Sequence, residues 1–200
     1  MVSILRSLGY NTQFYSGKAG TGTLSLDSRH LKEQIAALSR DLREGDSFVL
    51  YLGGHGNKDG FAVSSGVLAE SAIFSDTHNS AVRYGELVGW LKEIDSKVMV
   101  EVVIDACQSG GAVEHLKNRL NTTIITATDD KNPTPVGTGG EKSFSDQARE
   151  GFQGKAEDSN KDGKIDLEEA FSYAKSQQKN GGSVVSSNEL LWDKLLKALE

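Results

Sequence analysis

Apolar residues in this chain recur at two different spacings, one typical of helices and one typical of buried strands. Three short runs, at positions 47–52, 98–104 and 123–127, are mostly apolar and are predicted to be buried strands. Elsewhere apolar residues return every three or four positions, as in an amphipathic helix. Strands separated by helices predict parallel neighbours joined by right-handed crossovers, and therefore an α/β fold. The predicted helices cover positions 2–8, 28–43, 84–94, 113–120, 144–155, 167–176 and 190–199.

The remaining segments are predicted to be one short strand and several polar stretches. Positions 11–15 have the composition of a strand, and 16–23 form a glycine-rich loop. That loop contains Gly17-Lys18, but alanine follows the lysine where a phosphate-binding loop needs serine or threonine, so nucleotide binding is not favoured. Positions 57–82 predict a hairpin and a substrate-facing loop. Positions 129–142 hold both prolines of the chain and predict a mobile or self-cleaved loop.

Composition and charge exclude several classes of function. The 22 Lys and Arg residues against 28 Asp and Glu give a net charge of −6, spread along the chain, so no nucleic-acid-binding surface is expected. No apolar stretch approaches the roughly 20 residues that span a bilayer, and the first residues lack the pattern of a signal peptide. We therefore expect no membrane partner, and the compartment stays open. A single cysteine excludes an internal disulfide, and 200 residues suit one domain.

Two glycine-rich turns carry the candidate chemistry. Gly53-Gly54-His55-Gly56 follows the first predicted strand, and Asp105-Ala106-Cys107-Gln108-Ser109-Gly110-Gly111 follows the second. Because parallel strands end at the same edge of a sheet, His55 and Cys107 should emerge side by side, where α/β folds place ligands and chemistry. A thiol beside an imidazole is a nucleophile with its general base. The pattern therefore predicts a Cys107–His55 catalytic dyad.

Each of these residues also has a structural interpretation. His55 could simply form hydrogen bonds within a tight turn, and a lone buried cysteine often serves as a small apolar residue. A zinc site is disfavoured, because two ligands fall short of the three or four that zinc needs. The other three histidines lie in polar or helical surface contexts and are interpreted as solvated: His30, His78 and His115.

The two turns resemble those of the caspase-like cysteine peptidases. A strand entering Gly-His-Gly and a later strand entering Asp-Ala-Cys-x-Ser-Gly look closer to the metacaspase and bacterial branch than to animal caspases, and the resemblance covers positions 8–175. His55 and Cys107 are 52 positions apart, against about 50 in caspases. The resemblance implies a three-layer fold, with a mostly parallel sheet flanked by helices. It also implies a protein that works uncut, because the stretch after Cys107 is short and helical.

The resemblance also implies roles for individual residues and a class of substrate. Cys107 would be the nucleophile of an endopeptidase and His55 its base, with the N–H groups of Gly56 and Cys107 forming the oxyanion hole. In related peptidases the residue two positions before the cysteine lines the primary specificity pocket, and here it is Asp105. A carboxylate favours an ammonium or guanidinium partner, so the expected partner is a peptide or protein cleaved after Arg or Lys. Legumain relatives, which cleave after asparagine, carry a glutamate at that position.

A third motif predicts a bound calcium ion. The twelve residues 158–169 match an EF-hand loop, with oxygen-bearing residues at alternate early positions, glycine at the sharp turn and a closing glutamate. Helix-like segments flank the loop on both sides. An ordinary turn ahead of a helix is the alternative. The predicted calcium ligands are Asp158, Asn160, Asp162, the Lys164 carbonyl, Asp166 and Glu169.

One departure from the family leaves a second function open. Caspase-like domains begin with a central strand and a helix before the segment matching positions 8–10, and only seven residues precede that segment here. The resemblance therefore implies that the family's first strand is missing, through truncation, replacement by another strand or completion by a partner. The alternative function is a dormant caspase-like fold that acts as a calcium-binding interaction module. The retention of His55, Cys107, Gly56 and Asp105 together argues against it.

Overall fold

The structure is a computed structural model that describes residues 1–15, 27–63, 81–134, 142–178 and 183–186. Helices separate the three long strands that the apolar runs predict, at 47–53, 99–105 and 122–126. The helices are α1 (Val2–Ser7), α2 (Ser28–Ser39), α3 (Tyr84–Leu91), α4 (Gly111–Leu116), α5 (Phe144–Glu150), which continues as a π-helical turn (Gly151–Lys155), and α6 (Leu167–Gln177). The strands are β1 (Ser47–Gly53), β2 (Gly56–Asn57), β3 (Gly60–Ala62), β4 (Ala81–Arg83), β5 (Met99–Asp105), β6 (Thr122–Thr126) and β7 (Ser183–Ser186).

The main sheet has the strand order β1-β5-β6-β7. β1, β5 and β6 run parallel, and β7 is antiparallel to β6. The predicted α/β class, with a mostly parallel sheet flanked by helices, is therefore confirmed. β1 and β5 pair in register from Ser47–Met99 to Gly53–Asp105, so both strands end at the same level. A smaller antiparallel sheet of β2, β3 and β4 follows the end of β1.

Two apolar clusters cover the two faces of the main sheet. Alternate residues of β5 point to opposite sides, so Val102 and Ile104 belong to one cluster and Val103 to the other. The first cluster lies under α2, α3 and α4, and the second lies under α1, α5 and α6. Helices therefore cover both faces of the main sheet, and its parallel strands are buried on both faces, as such strands usually are.

The structure corrects three details of the sequence-based prediction. Residues 11–15 form no strand, because Tyr15 turns toward α2 and donates its hydroxyl to Gln34 at 2.7 Å. β7 was not predicted, and α4 begins at Gly111 rather than 113. Within the described residues, the other predicted helices and strands are confirmed, with helix ends displaced by a few residues. The predicted loops at 16–23 and within 57–82 and 129–142, and the helix at 190–199, lie wholly or partly outside the described residues.

A buried arginine joins the end of α3 to the strand β6. The side chain of Arg119 is only 9 % exposed, and it donates to the backbone carbonyls of Leu91, Ile94 and Asp95 at 3.1–3.3 Å. It also donates to the hydroxyl of Thr122 at 3.0 Å. The last carbonyls of a helix lack intrahelical donors, so a cation at this end supplies both hydrogen bonds and favourable charge.

The substitution Arg119→Met should therefore destabilise the protein. It leaves several buried carbonyls without a donor, and we expect the free energy of unfolding to fall by about 3 kcal/mol. Chemical denaturation measures this change. The matched control is Arg149→Met, which removes a half-exposed arginine paired with Asp146 and should cost about 0.5 kcal/mol or less. Equal losses in the two variants would contradict the assigned role of Arg119.

Candidate active site

His55 and Cys107 lie at the same edge of the sheet, each two residues beyond the register pair Gly53–Asp105. The pairing extends one residue further, because Gly54 donates its N–H to the Asp105 carbonyl at 3.1 Å. The side chain of His55 is exposed and that of Cys107 is half-buried. The predicted juxtaposition is therefore present in the backbone. No hydrogen bond joins the imidazole to the thiol in this part of the structure, which is common before a substrate is bound.

The turn that carries Cys107 is held by the loop after β6. Gln108 adopts a left-handed conformation, with φ of 53°, and donates its N–H to the Asn132 carbonyl at 2.9 Å. Asp129 shapes that loop, because its carboxylate accepts the N–H groups of Lys131 and Asn132 at 2.7–2.8 Å. These bonds hold the pKa of Asp129 below its ordinary value. The strained residue directly after the thiol is thus fixed from outside the turn.

Three glycines of the two motifs are places of close backbone approach. A Cβ added to Gly111 would lie 2.0 Å from the Lys58 carbonyl, in the hairpin that follows His55. One added to Gly110 would lie 2.6 Å from the Asp129 backbone, and one added to Gly56 would lie 2.9 Å from the Ala106 Cβ. The cysteine turn is therefore packed between the histidine hairpin and the Asp129 loop. Only glycine at these positions permits that spacing.

Asp105 is half-buried and already has a hydrogen-bond donor. Tyr51, on the neighbouring strand, donates its hydroxyl to the Asp105 carboxylate at 2.9 Å. Burial raises the pKa of Asp105, and the hydrogen bond from Tyr51 acts in the opposite direction. The predicted specificity residue therefore lies at the sheet edge two residues before Cys107, where it is bonded to β1.

A family model for the Peptidase C13 family matches residues 27–184, which contain both motifs and the strands that carry them. The chain belongs to the Peptidase C13 family. This is a family of caspase-like cysteine peptidases, so the protein is a cysteine-type peptidase, a hydrolase whose substrates are proteins or peptides. The match bears out the caspase-like resemblance, and it does not support the metacaspase branch in particular.

Solved structures agree with this C13 peptidase in fold. The crystal structure of a structural-genomics target from Geobacter sulfurreducens matches with a TM-score of 0.56 and 13 % sequence identity, over 92 % of this chain and 78 % of the other. At that identity the likeness shows the fold alone. No curated protein matches the chain. Among the described residues, no helix is long and apolar enough to cross a membrane.

Side chains of the predicted calcium loop in this C13 peptidase accept hydrogen bonds from N–H groups of the same loop. Asp158, at the first ligand position, accepts the N–H groups of Asp162 and Gly163 at 3.2 and 2.9 Å. Lys161 and Gly163, at the fourth and sixth positions, have φ of 60° and 85°, which produces the sharp turn that the motif requires. The predicted ligands Asn160 and Asp162 also accept loop N–H groups.

Glu169 closes the loop on itself. Its carboxylate accepts the N–H groups of Ser159 and Asn160 at 2.7 and 3.2 Å, and that of Asp166 at 3.2 Å. Burial opposes its ionisation, yet these donors hold the pKa of Glu169 below its ordinary value. Asp166 in turn accepts the Glu169 N–H and caps α6. The atoms predicted to bind the ion are all oxygens, which calcium prefers. Within the described residues, however, no three His, Cys, Asp or Glu side chains are placed to hold a metal.

Sequence reasoning missed the residues that support the reactive turns. Tyr51 could have been found, because it shares a strand face with Gly53, which pairs with Asp105. Asn132 carries no such signal, since its carbonyl reaches Gln108 from a loop 24 positions away in sequence. The Lys58 carbonyl likewise belongs to the backbone and leaves no trace in the residue type.

The packing of Gly111 against Lys58 predicts a loss of activity in Gly111→Ala. The new methyl group must push the histidine hairpin away from the cysteine turn, and displacements of about 1 Å can cost on the order of 100-fold in rate. The alkylation rate of Cys107 reports the thiol alone, and peptide hydrolysis reports the thiol together with His55. Gly89→Ala is the matched control, because nothing lies within 4 Å of a Cβ at that helical glycine. Unchanged hydrolysis in a Gly111→Ala protein that is folded to the same extent as the wild type would contradict the assigned packing of Gly111 against Lys58.

Proposed function

We propose that this C13 peptidase is an endopeptidase with a Cys107–His55 dyad, which cleaves after Arg or Lys and holds a calcium ion at 158–169. The observation that carries the dyad is the shared strand edge: β1 and β5 end in register, and His55 and Cys107 each follow that end by two residues. The sole thiol of the chain and a histidine, placed in matching turns, suit a nucleophile and its base better than two independent structural roles.

The proposed reaction proceeds through a covalent acyl-enzyme. His55 takes the proton of the Cys107 thiol, the resulting thiolate attacks the carbonyl carbon of the scissile bond, and His55 gives that proton to the leaving amine as the C–N bond breaks. Water, deprotonated by His55, then hydrolyses the thioester and releases the free thiol. The N–H groups of Gly56 and Cys107 are the proposed oxyanion donors. The close approach of Gly56 to Ala106 supports this, because the two N–H groups then lie on adjoining backbone segments.

The preference for a basic residue at P1, the position before the cleaved bond, rests on Asp105. Its carboxylate lies at the sheet edge two residues before the nucleophile, and no Lys or Arg bonds to it among the described residues. A half-buried carboxylate held by one neutral donor is suited to an incoming ammonium or guanidinium group. A Tyr51–Asp105 hydrogen bond that only stabilises the end of the sheet is the structural alternative.

The calcium proposal rests on ligand spacing and backbone shape. All six positions carry oxygen donors, and the turn at Lys161 and Gly163 has the required left-handed residues. Binding would require Glu169 to exchange some of its N–H partners for the ion, because its carboxylate now reaches the start of the loop. Calcium there would neutralise the carboxylates and order α6. We further propose that this order reaches the pocket wall through α5.

A peptide panel that varies only at P1 tests the specificity. We expect cleavage after Arg and Lys, abolished in Cys107→Ala, and a fall in kcat/KM for basic P1 on the order of 100-fold in Asp105→Asn. Asp41→Asn, an exposed aspartate far from the site, is the control for charge. A preference unchanged in Asp105→Ala, or cleavage after Asn or Asp, would refute basic specificity. No turnover and no labelling by a thiol-reactive probe would favour the dormant module.

Thermal unfolding with calcium and with chelator tests the loop. Calcium should raise Tm, since an ion at 100 times its Kd stabilises by about 2.7 kcal/mol, and sites of this class range to Kd of about 10⁻⁴–10⁻³ M. Glu169→Gln should remove the shift, whereas Glu168→Gln, one residue away from the ligand spacing, should keep it. The same response in both variants, or none in the wild type, would refute the site. Equal hydrolysis in calcium and in chelator would exclude a regulatory role for the ion and would leave a structural one.

A further inference from the structure

Two fully buried hydroxyl residues join the cysteine turn to the end of β6. Ser109, two residues after Cys107, and Thr128, two residues after β6, are both 0 % exposed. Ser109 donates its N–H to the Thr128 hydroxyl at 3.3 Å, and Thr128 donates its N–H to the Ser109 hydroxyl at 3.2 Å. We call this reciprocal contact the Ser109–Thr128 pair.

The Thr128 hydroxyl also reaches the peptide group that precedes the nucleophile. Its single proton has two carbonyl oxygens within reach, that of Ala106 at 3.4 Å and that of Asp129 at 3.2 Å. The Ala106 carbonyl belongs to the same peptide group as the N–H of Cys107, and a peptide group is planar. A contact that holds this carbonyl therefore also holds the direction of the Cys107 N–H.

We propose that Thr128 and Ser109 are positioning residues for the oxyanion hole, which orient the Cys107 N–H toward the carbonyl oxygen of the scissile bond. This inference rests on the proposed role of that N–H, and it is independent of the residue at P1. A donor to the oxyanion is most effective when it is oriented before the charge develops, because it then needs no reorganisation during the reaction.

Thr128 is well fixed, as a residue that positions another must be. Its carbonyl accepts the Thr126 hydroxyl at 3.1 Å. Ala127, the residue between them, donates its N–H to the Ile104 carbonyl at 3.1 Å and so continues the pairing of β6 with β5. The order of the main sheet thus extends to the residue directly before Thr128, and the hydroxyl that contacts the cysteine turn is held by the sheet.

The location of the pair points to more than two satisfied backbone groups. Its contacts lie on both sides of the nucleophile, since Ala106 directly precedes Cys107 and Ser109 follows it by two residues. Gln108, within this bracket, has φ of 53°. A left-handed residue other than glycine persists only where its surroundings hold it. Release of either side should let the turn relax and rotate the peptide group that carries the Cys107 N–H.

The test compares two reactions of the same thiol. Peptide hydrolysis develops an oxyanion, whereas alkylation by iodoacetamide displaces iodide from a saturated carbon and develops none. In Thr128→Val, which keeps the shape of the side chain and removes its hydroxyl, kcat for the best peptide of the P1 panel should fall about tenfold or more. Outright loss of one oxyanion donor costs on the order of 100-fold or more. KM and the alkylation rate of Cys107 should stay unchanged.

Two further variants and a control complete the experiment. Thr128→Ser keeps the hydroxyl and should restore kcat. Ser109→Ala should lower kcat in the same way as Thr128→Val, and it carries the comparison if Thr128→Val fails to fold. Thr123→Val is the matched control, because it makes the same change at a buried position near the start of β6, paired with Glu101. It should leave both reactions unchanged.

The outcomes separate this inference from the proposed function. A wild type without turnover, or turnover that survives Cys107→Ala, would refute the proposed nucleophile and this inference together. Turnover that is lost in Cys107→Ala but unchanged in folded Thr128→Val or Ser109→Ala would refute this inference alone. A parallel loss of hydrolysis and alkylation in these variants, or no recovery in Thr128→Ser, would assign the pair a purely structural role and likewise overturn it.

Discussion

The parallel pairing of β1 with β5 is the constraint on which the rest of the site depends. Because the two strands pair in register to Gly53 and Asp105, everything that follows either strand emerges at one level of the sheet. Val102 and Ile104 on one face and Val103 on the other hold β5 between the two apolar clusters. His55 and Cys107 thus emerge at the same level of the sheet because their strands are paired, with no hydrogen bond between the two side chains.

Backbone contacts then decide how closely the two turns can approach. Gly111 lies against the Lys58 carbonyl, Gly110 against Asp129, and both contacts leave no room for a Cβ. The close approach explains why the turns are glycine-rich more directly than flexibility does, because neither glycine has a positive φ. The strained residue is instead Gln108, directly after the thiol, and the Asn132 carbonyl stabilises it. The cysteine turn is thus packed directly against the backbone of its neighbours.

These features mark how far the sequence could lead. Apolar runs predicted β1, β5 and β6 because buried parallel strands need such runs, and glycine after a strand located both reactive turns. The short segment at 11–15 was misassigned because its composition suits a strand, whereas the contact of Tyr15 with Gln34 draws it to α2. The role of Asn132 could not be found at all, since its carbonyl accepts the Gln108 N–H from 24 positions away and the two residues share no pattern. Local periodicity predicts the helices and strands, whereas tertiary contacts determine which of their residues bond to one another.

α5 lies between the main sheet and the helix that follows the acidic loop 158–169. Its first residue, Phe144, belongs to the same apolar cluster as Val103 of β5, and its π-helical continuation packs on α6, where a Cβ on Gly151 would lie 2.9 Å from the Ala170 carbonyl. Asp166 caps α6 and Glu169 lies in its first turn, and these two residues close the acidic loop. A helix packed on the sheet at one end and on a second helix at the other transmits a rigid shift better than a loop does. A change that reorders Glu169 therefore acts on a helix that packs directly against α5.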